Sequence, residues 1–291
     1  MNHHYVFVYG TLRKGERNHY LLEGAELIAQ QAWTKGRLFD TGLGYPALKE
    51  SMADKVYGEL YLVSNAQLHR LDELEGYHQD SRNNLYNRKN QVVFYDAGKI
   101  AAYLYFIAEH HENMLRDQIQ SGDWKLYKFE KQHQSIPYFA YGSCMDDRRF
   151  KEEGVERYFQ KVAGVGILNN YTLRFTHKAW YDGMGRADIV EEGGIVEGKV
   201  YEISMKALKE YLYAREGAPN VYRPTVVTIE LNGKKVEALT FVVVNKKPET
   251  APPDWYEAEI LRGARGFLSD CYITNLQRHI NSLKQSNAGG M

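Results

Sequence analysis

Two stretches of the sequence decide the fold: VYGELYLVS at residues 56–64 and VEGKVYEIS at residues 196–204. They align without a gap, and the valine, glycine, tyrosine and serine are identical in both. Upstream, YVFVYGT at residues 5–11 is echoed at a similar offset by YFAYGS at residues 138–143. A motif order that recurs once, at so long a spacing, indicates two tandem copies of one domain rather than a solenoid of short repeats.

The predicted domain boundary lies where the polar stretch KQHQS at residues 131–135 separates two apolar runs. A chain of 291 residues is long enough for two domains with cores of their own. We therefore predict a first copy at residues 1–132 and a second copy at residues 133–285. The small polar residues 286–291 predict a flexible tail.

Within each copy the pattern predicts a strand-rich domain with one clear helix. The repeated strand ends at Ser64 or Ser204, which are suitable N-caps for a helix with apolar residues at helical spacing. Each helix then ends at a glycine, Gly76 or Gly217. Runs rich in β-branched or aromatic residues predict further strands at 5–9, 92–95, 100–107, 138–141, 225–231 and 237–244. The Asn232-Gly233 pair predicts a hairpin turn, and residues 273–283 predict a terminal helix.

Composition excludes several classes of protein. Lys plus Arg and Asp plus Glu are both 37, so no net charge is available to hold a nucleic acid. Two cysteines cannot build a disulfide framework or a four-thiolate zinc site, which fits a reducing cytoplasmic setting. The N-terminus lacks a signal pattern, and no apolar run approaches the ~20 residues that span a bilayer. We expect a soluble cytoplasmic protein without a nucleic acid or membrane partner; the sequence indicates no oligomeric state.

The main anomaly is an acidic residue directly before the terminating glycine of each helix, Glu75 and Glu216. A helix C-terminus is partly negative, so a carboxylate there is unfavourable and its pKa is raised. A raised pKa suits a general base that removes a proton from an ammonium group near neutral pH. One such residue alone is most simply a solvated glutamate, but its recurrence in both copies indicates a shared role.

Turns rich in small residues follow the first strand of each copy, Tyr9-Gly10-Thr11 and Tyr141-Gly142-Ser143. Glycine at a strand end allows backbone N–H groups to converge on an anion, and the adjacent hydroxyl adds a donor. Neither turn has the spacing of a phosphate-binding loop. The turns alone are also compatible with a purely structural role.

Cys144, beside the second turn, is a candidate nucleophile with His177 as a conceivable base, or simply a small buried residue. The segment APPDWY at residues 251–256 predicts a rigid extended loop that delivers Tyr256 either to a substrate or to the edge of a lid. Adjacent histidines at 3–4 and at 110–111 do not face a common metal ion from a helix or a strand, so we predict no metal site.

These motifs, in this order, resemble the γ-glutamylcyclotransferase superfamily. In the second copy the resemblance covers residues 137–283 and is carried by YFAYGS, DGMGRADI, REGAPNVY and the closing APPDWYEAEILRGA. In the first copy it covers residues 4–110 and is carried by VYGTLRKG, YPA, LDELEGY and YNR, which look like the branch of γ-glutamylamine cyclotransferases and avirulence-induced plant proteins. Two features depart from the family pattern: Cys144 stands where an Asn is usual, and the first copy has no closing segment.

The resemblance implies an α+β protein of two tandem mixed β-barrel domains with flanking helices, each with a pocket at one barrel end. It implies an enzyme, an aminoacyl transferase or lyase, in which the α-amine of a small γ-glutamyl amide attacks its own γ-carbonyl. The products are 5-oxoproline and a free amine or amino acid, and no cofactor is required. Carried over to this sequence, the catalytic residues are Glu216 and Glu75. The substrate-binding residues are Tyr9, Gly10, Thr11, Leu12, Tyr141, Gly142, Ser143, Cys144, Tyr222 and Tyr256.

Two alternatives stay open: an amidase or acyl transferase that uses Cys144, and a non-catalytic small-ligand-binding module on the same fold. Within the enzymatic reading we expect the second copy to be the main catalyst, because its closing segment supplies Tyr256 and excludes water. We expect Glu75, without that segment, to lie in a more solvated pocket with a pKa near its ordinary value.

Overall fold

The computed structural model describes residues 3–79 and 81–288. The chain divides into two compact units between Lys128 and Phe129. Each unit contains one closed five-stranded barrel and one small two-stranded sheet.

The barrel of the first unit has the strand order β1-β5-β2-β6-β7. Its strands are β1 (His3–Val8), β2 (Glu26–Lys35), β5 (Lys55–Ser64), β6 (Tyr86–Tyr95) and β7 (Gly98–Ile107). β1 is antiparallel to β5 and parallel to β7, so the barrel is mixed. β3 (Arg37–Asp40) and β4 (Pro46–Lys49) form the separate antiparallel pair.

The barrel of the second unit repeats this topology strand for strand. Its strands are β8 (Ser135–Ala140), β9 (Val162–Asn169), β12 (Ile195–Ser204), β13 (Tyr222–Leu231) and β14 (Lys234–Val243). β8 pairs antiparallel with β12 and parallel with β14, as β1 does with β5 and β7. β10 (Thr172–Lys178) and β11 (Gly185–Val190) form the small sheet. The predicted tandem α+β fold of two mixed barrels is confirmed.

Helices flank the barrels. They are α1 (Asn65–Leu74), α2 (Trp124–Gln132), α3 (Asp147–Glu152), α4 (Met205–Ala207), α5 (Tyr213–Arg215), α6 (Asp254–Ala264) and α7 (Asp270–Ala288). A π-helical turn, Leu208–Leu212, joins α4 to α5. Short 3₁₀ turns occupy His19–Leu22, Glu109–Met114, Ser143–Met145 and Glu156–Tyr158. Of the tail predicted at 286–291, residues 286–288 belong to α7 and the rest lies outside the described residues.

Close backbone approach explains the glycine that recurs in the two fold-deciding stretches. A Cβ at Gly58 would lie 2.3 Å from the carbonyl oxygen of Val8, and one at Gly198 would lie 2.5 Å from that of Ala140. No side chain fits at either distance, so β5 and β12 can cross their neighbouring strands only at a glycine. The predicted N-caps are also present, because Ser64 accepts a hydrogen bond from the amide of Gln67 and Ser204 from that of Ala207.

The hairpin predicted at Asn232-Gly233 joins β13 to β14, with φ angles of 51° and 74°. Two consecutive positive φ values are characteristic of the turn that matches the twist of antiparallel strands. Within the part of the chain that the structure describes, no helix is both long and apolar enough to cross a bilayer.

Candidate functional site

Both helix ends singled out in the sequence have the same backbone geometry. Glu75 is the C-cap of α1, Gly76 follows with φ 59°, and the amide of Gly76 donates to the carbonyl of Glu73. The amide of Tyr77 donates to the carbonyl of Asp72, which completes a Schellman motif.

The second copy repeats the motif. Glu216 is the C-cap, Gly217 has φ 58°, and the amide of Gly217 donates to the carbonyl of Ala214. The amide of Ala218 donates to the carbonyl of Tyr213. The left-handed glycine reverses the chain directly after each glutamate, so the glutamate lies at the turn into the next strand rather than along the helix face.

Each glutamate lines a cavity. The first cavity, of about 200 Å³, contains all five predicted residues of that copy: Tyr9, Gly10, Thr11, Leu12 and Glu75. The second, of about 40 Å³, contains all seven of its own: Tyr141, Gly142, Ser143, Cys144, Glu216, Tyr222 and Tyr256. At roughly 10–15 Å³ for each water, the second cavity holds about three water molecules, and the first is several times larger.

Two tyrosines brace each site in the same way. The hydroxyl of Tyr9 donates to the carbonyl of Tyr105 at 2.7 Å, and that of Tyr86 donates to the carbonyl of Pro46 at 3.3 Å. The amide of Tyr86 also donates to the carbonyl of Glu75. Because these hydroxyls donate to main-chain carbonyls, they fix the walls of the cavity around the glutamate.

In the second copy, the hydroxyl of Tyr141 donates to the carbonyl of Phe241 at 2.6 Å, and that of Tyr222 donates to the carbonyl of Ala187 at 2.8 Å. The amide of Tyr222 donates to the carbonyl of Glu216. The two sites therefore share one scaffold of hydrogen bonds.

A buried charge anchors the loop after each Tyr-Gly turn to the repeated strand. In the first copy, the guanidinium of Arg13 pairs with Glu59 at 3.3 Å and with Asp123 at 2.7 Å. In the second copy, Lys199 replaces Glu59, and its ammonium donates to the carbonyl of Met145 and pairs with Asp147 at 3.0 Å. The sign of the strand residue is reversed, but the loop is held in both cases.

The expectation that Glu75 has an ordinary pKa is wrong. Burial of the Glu75 carboxyl raises its pKa to about 8. The first cavity reaches this desolvation without the closing segment, because Tyr45, Pro46, Leu74 and Leu85 line it instead.

Glu216 has a charged neighbour that Glu75 lacks. Burial raises the pKa of Glu216, but the guanidinium of Arg215 opposes the rise, with its Nε 3.6 Å from Oε1 of Glu216. Arg215 also donates to Sγ of Cys144 at 3.1 Å and to Oγ of Ser143 at 3.1 Å. The corresponding residue before Glu75 is Leu74.

The geometry around Cys144 does not suit a nucleophile. The buried thiol donates to Oε1 of Glu216 at 3.4 Å, and burial raises its pKa, so the neutral thiol is favoured over the reactive thiolate. His177 is not brought to the sulfur; its ring lies against that of Tyr222, with 5.5 Å between centroids. Within residues 3–79 and 81–288, no cluster of His, Cys, Asp or Glu is placed to hold a metal ion.

Tyr256 reaches the second cavity from the first turn of α6, not from an extended loop as the sequence suggested. Its hydroxyl accepts a hydrogen bond from the amide of Ala187 at 3.2 Å and would lie 3.4 Å from a Cβ on Gly142. The hydroxyl therefore fills space beside the turn predicted to bind a substrate, which helps to explain the small cavity.

Several lining residues were not predicted as site residues. The polar and aromatic ones include Arg17, Asn18, Tyr45, Tyr86 and Tyr105 in the first cavity and Tyr138 and Phe241 in the second, where Ala187 is also present. Tyr86 and Tyr222 both begin the strand that follows the helix end, and this shared position was the signal that could have identified Tyr86.

Comparison with known proteins agrees with this architecture. The family model described as "Gamma-glutamyl cyclotransferase, AIG2-like" matches residues 6–126 and again residues 138–258. YkqA of Bacillus subtilis, provisionally named as a gamma-glutamylcyclotransferase, is 43% identical over 286 residues, which cover 96% of this chain and 98% of YkqA. The crystal structure of YkqA superposes with a TM-score of 0.85 and 41% identity, covering 97% of this chain and 99% of that chain.

A Niallia circulans protein named gamma-L-glutamyl-butirosin B gamma-glutamyl cyclotransferase is 36% identical over 140 residues, which cover 46% of this chain and 86% of that protein. The match of that relative spans about one copy of the repeat, whereas YkqA matches along nearly the whole chain. With a family match in each copy and a relative similar from end to end, the chain belongs to the AIG2-like gamma-glutamyl cyclotransferase family.

Proposed function

We propose that this protein cyclises a γ-glutamyl amide to 5-oxoproline and a free amine, and that the first copy is the main catalyst. The observation that carries the proposal is the position of Glu75: a carboxyl at a helix end, lining a cavity of about 200 Å³, with its pKa raised to about 8 by burial. A base whose pKa lies near the working pH is best suited to move a proton in both directions.

The proposed reaction needs one proton carrier and no external nucleophile. Ionised Glu75 takes a proton from the substrate α-ammonium, and the freed amine attacks the γ-carbonyl to close a five-membered ring. The C–N bond to the leaving amine then breaks as Glu75 returns the proton to that nitrogen. The second proton of the ring nitrogen passes to the released amine, so the products are neutral 5-oxoproline lactam and an ammonium ion. Because both reacting groups belong to one molecule, roughly 7–11 kcal/mol of the barrier can be avoided through proximity.

The turn at Gly10-Thr11 is proposed to hold the substrate and its developing oxyanion. Both residues line the cavity with Glu75, and a Cβ at Gly10 would lie 2.8 Å from Cγ of Pro46, so the turn requires its glycine. Asn18 fixes the turn further, because its side-chain amide donates to Oγ1 of Thr11 at 3.0 Å.

The second copy fits the non-catalytic alternative better than the first copy does. Its cavity of about 40 Å³ is several times smaller than the cavity of about 200 Å³ in the first copy, and Arg215 favours the ionised form of Glu216. We therefore propose that Glu216 contributes less to turnover than Glu75, which reverses the order expected from the closing segment. The cysteine-dependent alternative is not supported, since the neutral thiol of Cys144 is favoured.

The name of the Niallia circulans relative supports a γ-glutamyl substrate, and the low cysteine count favours a reducing cytoplasmic setting for the reaction. The test is to incubate the full-length protein with γ-glutamyl amino acids, γ-glutamyl amines and glutathione and to measure 5-oxoproline. Release of 5-oxoproline from at least one of them is expected; no release from any would contradict the proposed function.

A further inference from the structure

Arg17 is an unpaired cation that lines the first cavity. The side chain is exposed, and its guanidinium lies 6.0 Å from the centroid of the Tyr45 ring. Within the described ranges 3–79 and 81–288, the structure gives Arg17 no hydrogen bond and no ion pair. Its charge is therefore available to a ligand.

The charges of this cavity are distributed unevenly. Glu75 is the acidic group, Arg17 is the basic one, and every other described residue that lines the cavity is uncharged. Glu75 is partly buried and its carboxyl is desolvated, whereas Arg17 is exposed, so the cation lies closer to the opening of the cavity than the carboxyl does.

The proposed reaction determines which part of the substrate lies at the opening of the first cavity. The α-amine and γ-carbonyl must both reach Glu75, so the glutamyl part occupies the inner end. The leaving amine has to depart to solvent after the C–N bond breaks, so it faces the opening and Arg17.

The second copy lacks this free cation. The residue at the same distance after its Tyr-Gly turn is Arg149, whose guanidinium pairs with Glu153 at 3.1 Å and with Glu259 at 2.7 Å. The free guanidinium of Arg17 is thus specific to the first copy and is not part of the hydrogen-bond scaffold that both copies share.

We propose that Arg17 is a specificity-determining residue, and that it selects γ-glutamyl amides whose leaving amine carries a carboxylate. A guanidinium binds a carboxylate through paired charge-assisted hydrogen bonds, and an uncharged amine gains nothing from it. The inference rests on the proposed function and deepens it by naming the class of leaving group.

The test compares three substrates that differ only at one group: γ-glutamylalanine, γ-glutamylalaninamide and γ-glutamylethylamine. 5-Oxoproline formation is measured with the full-length chain carrying Glu216→Gln, so that only the first site acts. We expect Arg17→Met to lower kcat/KM for γ-glutamylalanine about fivefold, through KM, and to change it less than about twofold for the two uncharged substrates. Arg17→Glu should reverse the preference, and added salt should weaken it in the parent.

Lys14→Met is the matched control, because it removes the same charge from an exposed side chain that does not line the cavity. It should leave all three rates unchanged. An equal loss for all three substrates in Arg17→Met, or no loss for any, would overturn the inference while leaving the proposed function intact. If the unmodified protein releases 5-oxoproline from none of these three but from another γ-glutamyl amide, the inference is wrong and the proposed function stands; release from no γ-glutamyl amide at all would contradict the proposed function.

Discussion

The guanidinium of Arg215 lies 3.6 Å from the carboxyl of Glu216, whereas the apolar Leu74 stands in the corresponding position before Glu75. Because of this one difference, two similar helix ends have different electrostatic environments. Burial raises the pKa of both glutamates, but only in the second copy does an adjacent cation oppose the rise.

Replacing Arg215 should therefore change the titration of Glu216. In a Glu75→Gln background, Arg215→Met removes the opposing cation, so the pKa of Glu216 should rise and the ascending limb of any remaining activity should move to higher pH. Arg215→Lys keeps a charge and is the control. The measurement is kcat/KM for 5-oxoproline formation as a function of pH. If the ascending limb of this profile does not move in the Arg215→Met variant, Arg215 does not act on Glu216.

The activity of the first site should rise with pH through about 8. Glu75 accepts a proton only when it is ionised, and burial raises its pKa to about 8, so a minority of molecules is competent at pH 7. In the Glu216→Gln variant, kcat/KM measured against pH should therefore rise with a midpoint at about 8. An activity that is already constant above pH 6 would be inconsistent with a buried Glu75 as the base.

The raised pKa of Glu75 should also make the stability of the protein depend on pH. Ionisation of Glu75, which the reaction needs, should lower the free energy of unfolding. The carboxyl of Glu75 has a folded-state pKa above its unfolded value of 4.5, so its ionisation destabilises the fold increasingly between pH 4.5 and 8. Glu75→Gln should have little effect at pH 4 and should stabilise the protein at pH 9, by at most about 1.4 kcal/mol for each pH unit of the shift.

Denaturant unfolding across this pH range measures the effect. Glu73→Gln is the matched control, because that side chain is 66% exposed. An equal pH dependence in both variants would mean that Glu75 is not buried in the folded protein.

Much of the architecture could be predicted from the sequence because the same motifs occur in both copies of the domain. The repeated strand that contains Gly58 and Gly198, the serine caps and the glycine after each helix are local signals, and each recurs in the structure. The two glutamates could be identified for the same reason, since an acidic residue before a C-terminal glycine is unfavourable in either copy.

The solvation of Glu75 could not be predicted, because it depends on residues far apart in the chain. The absence of a closing segment suggested an open pocket, yet Tyr45 and Leu85 come from separate loops to line it. Likewise, Arg215 is visible beside Glu216, but only the folded chain shows that it also contacts Cys144 and Ser143.

Removing the thiol of Cys144 should leave the reaction intact. Cys144→Ala and Cys144→Ser should retain more than about half of 5-oxoproline formation, because the cyclisation uses the substrate's own amine as nucleophile. Mass spectrometry of the protein mixed with substrate provides a second readout. Loss of activity in both variants, with a covalent thioester on the unmodified protein, would instead favour the amidase or acyl transferase.

The most direct measurement of the central claim is 5-oxoproline formation by the full-length Glu75→Gln and Glu216→Gln variants, compared with the unmodified protein. The account predicts a loss of about 10² or more for Glu75→Gln, which is the usual contribution of a positioned general base, and most of the activity retained in Glu216→Gln. Circular dichroism should show both variants folded. Activity that survives Glu75→Gln and disappears with Glu216→Gln would contradict the account and place the catalyst in the second copy.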